Sequence, residues 1–233
     1  MFAPDLSDEE RKDMVIKAYK KLKKSFEEFS KPDGGKATPA KTCRDLSLAY
    51  PDKASGEYWI DPNGADPKDA ILVYCDMATK ASCIQPKPSE SQEMSVVTQE
   101  KTMWFGDVPT GGFDFTYKAD SNQMSFLQLL SGRASQNITY HCSNSVAYMN
   151  PKNKANKSAW LMSWNDLEIK AHGKFRYTVP IDECKDRKSA WAKTVFEIKT
   201  NKPTRLPIVD IMLRDIGSRR QKFKMEIGQV CFR

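Results

Sequence analysis

Three aspartates and an asparagine, Asp61, Asn63, Asp66 and Asp69, fall inside one short stretch of the segment GEYWIDPNGADPKDAILVYCDMATKASC, residues 56–83. Short side chains rich in oxygen, at that density, are the chemistry of a hard divalent cation, which takes carboxylate, amide and main-chain carbonyl ligands. Pro62 and Asn63-Gly64 turn the backbone so that its carbonyls can join in. The loop is not an EF-hand, because the glycine needed at the sixth position falls on Asp66 and the glutamate needed at the twelfth falls on Leu72. Alone, an Asp-Pro-Asn-Gly sequence is also an ordinary solvated turn, so spacing by itself does not choose a metal.

Other reactive groups are few. His141-Cys142 has the composition of a thiol nucleophile with its base, but adjacent residues of a strand point to opposite faces. His172 beside Gly173 is most simply a loop histidine. The six cysteines form no CxxC pair and there are only two histidines, which argues against a zinc site. No GxSxG, HExxH or P-loop sequence is present, and the chain reads as a non-enzyme. A net charge of +7 could attract a polyanion, yet the bases are interleaved with acids along the whole length. A solvated surface is the simpler reading, with neither nucleic acid nor membrane as partner. No apolar run is long enough to span a bilayer, and the opening Met1-Phe2-Ala3-Pro4 reads as a start placed on an internal piece of a longer chain.

Elements must position this chemistry. Ser7 with Glu10 is a capping box for a helix running to about Ser30. Along it Val15, Tyr19, Leu22, Phe26 and Phe29 recur at alternating steps of four and three, the a/d seam of a coiled coil, and aromatic seam residues need the room of three strands more than of two. Such a helix is marginal alone, so its folding is expected to be coupled to assembly. Lys31-Pro32-Asp33-Gly34-Gly35 ends it and is expected to act as a hinge. Strands are expected over residues 70–74, 95–98, 175–179 and 194–198 and through Phe223, Met225 and Ile227. Core aromatics are expected around Phe105, Phe113 and Phe115, and a helix capped by Asp120 or Ser121 should run through Met124, Leu127 and Leu130. Mixed strands with few helices and no βαβ rhythm indicate an α+β fold. The even cysteine count and the sequons at Asn137 and Asn156 suit an oxidising, secretory environment, although six thiols admit many pairings.

The words around the acidic loop are more specific than the loop. Thr42-Cys43-Arg44-Asp45-Leu46, Gly56-Glu57-Tyr58-Trp59-Ile60-Asp61-Pro62-Asn63, and Ala134-Ser135-Gln136-Asn137-Ile138-Thr139-Tyr140-His141-Cys142 come in order. Asn144-Ser145-Val146-Ala147-Tyr148-Met149, Arg205-Leu206-Pro207-Ile208-Val209-Asp210 and Ile227-Gly228-Gln229-Val230-Cys231-Phe232 follow. Together they closely resemble the C-terminal propeptide of fibrillar collagens. The resemblance implies a coiled-coil stalk and hinge over residues 1–36. It also implies a disulfide-bonded mixed α/β globular domain over residues 37–233, distantly fibrinogen-like and assembled as a trimer. The implied function is to select and align three procollagen chains and nucleate their triple helix, followed by proteolytic removal before fibril formation.

Carried over position by position, the resemblance implies disulfides Cys43–Cys75, Cys83–Cys231 and Cys142–Cys184, and glycosylation at Asn137 rather than Asn156. It implies calcium held by Asp61, Asn63 and Asp69 side chains, with Gly64 and Asp66 at main-chain carbonyl positions, close to the contact between protomers. Trp160, Met162 and Trp164 overlap the stretch that decides which chains associate. The implied partners are two further procollagen chains, as a homotrimer, and the procollagen C-proteinase with its enhancer. The implied setting is secretion to the extracellular matrix after assembly in the endoplasmic reticulum. Two cysteines that bridge neighbouring chains in typical members fall here on Ala49 and Asp66, which implies a trimer without covalent links between its chains in this region. A fibrinogen-like, calcium-dependent extracellular recognition domain is the alternative reading.

Overall fold

Ser7 and Glu10 cap one another. Ser7 Oγ accepts the Glu10 amide at 3.3 Å while Glu10 Oε2 accepts the Ser7 amide at 2.9 Å, which satisfies two donors that a helix start otherwise leaves open. Helix α1, Asp8–Ser30, follows. The structure, a computed structural model, describes residues 7–149 and 157–233. Val15, Tyr19, Leu22 and Phe26 stand 67, 64, 71 and 68% exposed along one stripe of α1. Phe29 lies in the last turn of α1, and its side chain falls outside the described residues.

The segment expected as a hinge is stitched to the body on its glycine side. Gly34 donates to the Thr38 carbonyl and accepts the Trp59 amide at 2.8 Å. Its φ is +81°, and a Cβ there would stand 3.0 Å from Leu46 and Tyr58. Glycine meets both the left-handed backbone and the close approach.

Helix α2 is Cys43–Ala49, and its first turn is closed by Thr42 accepting the Asp45 amide at 3.2 Å. The strands are β1 Gly56–Ile60, β2 Ile71–Asp76, β3 Ala81–Ile84, β4 Met103–Trp104, β5 Ala134–Ser143, β6 Trp160–Ser163, β7 Glu168–Ile169, β8 Thr178–Asp182, β9 Ala192–Thr200, β10 Ile208–Leu213, β11 Lys222–Ile227 and β12 Val230–Phe232. Helix α3, Ser121–Leu129, starts at Asp120, whose carboxylate accepts the amides of Asn122 and Gln123. The result is a mixed α/β chain whose described strands all pair antiparallel. The larger sheet runs β1-β2-β3-β12-β5-β9-β8, with β11 on the same edge of β5 as β12, and the smaller runs β4-β10-β6-β7. Between β11 and β12, Gly228 donates to the Asn137 carbonyl at 2.9 Å. A Cβ at Gly228 would lie 2.5 Å from that oxygen, so the step from one strand to the next requires glycine.

Tyr140, Phe196, Phe223 and Phe232 fill the centre of the larger sheet. Phe105, Phe113 and Phe115 form a second cluster with ring centroids 5.1–6.0 Å apart. Two expected strands differ. Residues 95–98 hold one isolated bridge, Val97 with Gly217, because the segment before them pairs with β11 only as far as Met94 opposite Phe223. The strand expected from Phe175 begins only at Thr178.

Disulfides join Cys43 to Cys75, Cys83 to Cys231 and Cys142 to Cys184, and no cysteine is free. Replacing both Cys83 and Cys231 by alanine opens a closure of 148 residues and is expected to cost about 2–5 kcal/mol, more than opening Cys43–Cys75. Paired urea titrations check both the loss and its order.

A second expectation concerns Asp210 on β10, whose Oδ1 accepts the amides of Gly106 at 3.1 Å and Ile211 at 2.7 Å. Burial pushes this carboxyl up to about 6, with Asp114 and Asp107 adding to the rise against the two amides. The folded state therefore binds the proton more tightly than the unfolded chain, whose value is near 3.8. Stability from this group is present at low pH and is lost as pH rises through about 6. Asp210→Asn keeps an acceptor for both amides and should remove that slope. A wild-type minus variant difference in unfolding free energy that stays flat across this window would contradict the assignment.

Candidate functional site

The acidic loop leaves β1 through a fixed exit. Asp61 donates its amide to the Ala40 carbonyl at 2.8 Å, and its side chain is only 5% exposed. The Asp-Pro-Asn-Gly sequence closes a turn, with the Gly64 amide reaching both the Asp61 carbonyl and Asp61 Oδ1 at 3.1 Å. Gly64 has φ +64°, the left-handed conformation that favours glycine. A single 3-10 turn, Pro67–Asp69, returns the chain to β2.

The loop is held from inside by a residue that the sequence reading missed. Gln123 is fully buried on α3. Its Oε1 accepts the Asn63 amide at 3.2 Å, and its Nε2 donates to Asp61 Oδ1 at 3.0 Å and to the Asp69 carbonyl at 3.1 Å. One amide thus fixes both ends of the loop. A signal was present, since Gln123 shares the inward face of α3 with Leu127, where an amide without an apolar role needs a partner.

Asp61, Asn63 and Asp69 are brought together around this amide, and Asn63 Nδ2 donates to Asp69 Oδ2 at 2.9 Å. Asp66 is directed elsewhere: its Oδ1 accepts the Lys68 amide at 3.0 Å. Lys68 Nζ stands 3.9 Å from its other oxygen. Among the described residues no group of three or more His, Cys, Asp or Glu side chains is gathered closely enough to hold a metal. The loop offers two carboxylates and one amide, but Asn63 presents its nitrogen to Asp69 while its Oδ1 accepts the Ala65 amide at 2.8 Å, so that oxygen would join a ligand set only once the amide turns. That set suits a hard cation with help from main-chain carbonyls and water, and suits neither zinc nor a softer metal. Ser25 of α1 and the loop residues Asp61, Asn63 and Gly64 line one cleft of ≈ 510 Å³, so the helix end and the loop share a surface.

On β6, Leu161 and Ser163 are buried while Trp160 and Met162 face the other way, half-buried. Lys170 Nζ lies 3.7 Å and Arg214 Cζ 5.0 Å from the centroid of a Trp160 ring, so cations cover part of its face. Trp164, just past the strand, is 43% exposed and donates through Nε1 to the Thr204 carbonyl at 2.9 Å. Asn137 is exposed on β5 opposite Glu197. Asn156 lies outside the described residues. Cys142 is in a disulfide, which removes the nucleophile considered beside His141. His141 instead pairs with Glu226 at 3.0 Å.

A family model for the fibrillar collagen C-terminal domain matches residues 11–232. The chain belongs to the fibrillar collagen C-terminal domain family. It is 43% identical to the collagen alpha-2(I) chain of Rattus norvegicus over 95% of its own length. It is 44% identical to the collagen alpha-1(II) chain of Xenopus tropicalis, again over 95% of its length. The chain spans 17% and 16% of these two relatives. Family membership and the pairing of every cysteine within the chain agree with a disulfide-bonded collagen C-terminal region. No described helix is long and apolar enough to cross a membrane.

Gln123→Leu leaves the Asn63 amide, the Asp69 carbonyl and Asp61 Oδ1 without their buried partner. The expected loss is about 2–4 kcal/mol, read by urea unfolding, and amide exchange at Asn63 should accelerate. A loss no larger than that of an exposed control such as Asn122→Ala would show that the amide does not hold the loop.

Proposed function

We propose that this chain is the assembly region of a fibrillar procollagen, joining three chains in register so that their triple helix starts at the C-terminal end. The observation that carries the reading is the α1 stripe. Four large apolar side chains repeat at seam spacing and stand at least 64% exposed on a single chain. Burying each fully is worth roughly 1.5–3 kcal/mol, and a helix of this length gains little stability without such burial. Two companion chains provide the cover, with Phe29 extending the seam.

Calcium is proposed to bind at Asp61, Asn63 and Asp69, with main-chain oxygens of Gly64 and Asp66, and to brace the contact between protomers beside the end of α1. The metal would supply charge neutralisation there. Gln123 fixes the loop beneath it. Trp160, Met162 and Trp164 supply partner contacts that select chains, and Asn137 carries the glycan. With Ala49 and Asp66 in place of bridging cysteines and no free thiol, the trimer has no disulfide between its chains in this region. The setting is the secretory pathway and then the extracellular matrix. Procollagen C-proteinase with its enhancer removes the region, which contributes no catalysis of its own.

Light scattering in calcium is expected to give three times the chain mass, falling in chelator, with a single-chain band on non-reducing electrophoresis. Leu22→Glu with Phe26→Glu should yield a folded monomer with intact disulfides. A monomer in calcium, or a disulfide-linked trimer band, would overturn the reading. The first result would favour a fibrinogen-like recognition domain.

A further inference from the structure

Arg133 and Arg233 stand opposite each other on neighbouring segments of the larger sheet. Phe232 of β12 pairs with Ser82 on one side and Ala134 on the other. One step further, Arg133 and Arg233 exchange both main-chain hydrogen bonds, at 2.9 and 2.8 Å. A pair of this kind puts both side chains on one face, with Cα atoms about 5.5 Å apart. Both are exposed, and like charges so placed repel.

The same end of the sheet collects two more bases. The β2–β3 turn ends in Lys80, at φ +60°. Helix α2 contributes Arg44, held in place by the Cys43–Cys75 disulfide and by the Cys43 amide donating to Ser82 Oγ at 3.0 Å. Arg44, Lys80, Arg133 and Arg233 line a cleft of ≈ 530 Å³. Through Arg133 and Arg233 it continues into another of ≈ 710 Å³, which Lys199 also lines. Lys199 is paired with Glu197 at 2.7 Å. None of the other four is in a salt bridge among the described residues. Asp76, the one acidic side chain lining the larger cleft, already takes the Thr79 hydroxyl and the amides of Ala78 and Thr79, and the terminal carboxylate of Arg233 lies against the Gly132 and Arg133 amides. The bases that line the two recesses therefore outnumber the carboxylates beside them, and the fold leaves an excess of positive charge there.

We infer that this double cleft binds a sulfated glycosaminoglycan chain, with sulfate groups seated on the Arg133–Arg233 pair and on Arg44 and Lys80. Guanidinium forks match the oxygens of such anions and relieve the repulsion between the two arginines. Two connected recesses suit a polymer with anions at intervals better than one small ion. Apart from Tyr74 in the larger cleft, no aromatic ring lines either recess to stack a base, which disfavours single-stranded nucleic acid. The choice of a sulfated glycan among polyanions rests on the extracellular setting proposed above, whereas the anion site itself does not.

The test is binding of the full chain to immobilised heparin across a salt series. Arg44→Gln, Lys80→Gln, Arg133→Gln and Arg233→Gln together should weaken binding at least tenfold and lower the eluting salt. Lys12→Gln, Lys20→Gln, Lys21→Gln and Lys23→Gln on α1 remove equal charge and should change binding less than twofold. Equal loss in both variants would reduce the effect to net charge and overturn the site. Competition by duplex DNA as strong as by heparin at equal charge would overturn the choice of ligand, and desulfated heparin should compete poorly. Light scattering of the same samples reports assembly separately, so a monomer that keeps its heparin contrast sinks the assembly reading and leaves the cleft standing.

Discussion

A strand of three residues holds the larger sheet together. β12, Val230–Phe232, lies between β3 and β5 and is the link between the β1-β2-β3 unit and the rest of the larger sheet. Val230 and Phe232 are buried, but so short a strand offers only a handful of hydrogen bonds, each worth on the order of 1 kcal/mol net. The Cys83–Cys231 disulfide joins residues that are also register partners, so the covalent bond and the ladder specify one alignment. Slipping the strand by one residue would turn Val230 and Phe232 to the outer face. The closing residues of the chain therefore fix the N-terminal strands and the acidic loop between β1 and β2.

That loop is tied to the body at a second point. Gln123 grips it from α3 while Ala40 pairs with Ile60 and Asp61 at its exit. The loop's main chain is consequently positioned by protein contacts alone, so the proposed cation would meet main-chain oxygens that are already held. Asp66 is the exception, because its carboxylate caps the following 3-10 turn. To contribute a side-chain oxygen it would have to give up that cap, so a main-chain role is the less demanding one for this residue.

Local signals carried much of this into the sequence. The Ser7–Glu10 box, the Asp-Pro-Asn-Gly turn and the Asp120 cap each depend on residues within about one turn of each other, and all three are legible without a fold. What was not legible depends on register. β5 is the longest described strand, yet its inward face of Ala134, Ile138, Tyr140 and Cys142 is interrupted by polar Gln136, whose place there is not obvious until it is seen bonding Tyr117, Gly228 and Ile208. The segment 95–98 has the right composition for a strand but no partner of matching length. Gln123 and the four clustered bases become a site only when separate segments meet.

The charge distribution shows why composition was a poor guide. Bases interleaved with acids along the chain suggest a neutralised surface, and for Lys222 with Glu93 or Lys224 with Glu90 this holds, at 2.6 and 2.7 Å. The antiparallel order of β2, β3, β12 and β5 does the opposite at the other end of the sheet. There the turn, the last residue of the chain and the entry to β5 are each basic, and the acidic side chain of the cleft, Asp76, is engaged with its own turn. An exposed like-charge pair costs little in water but more in a recess with low-dielectric walls. The fold can carry that cost because three disulfides and a buried core hold the strands on which these bases sit. The α1 stripe is a comparable case, apolar rather than charged: both surfaces are poorly satisfied in the single chain, and these are the two surfaces on which the proposals above rest.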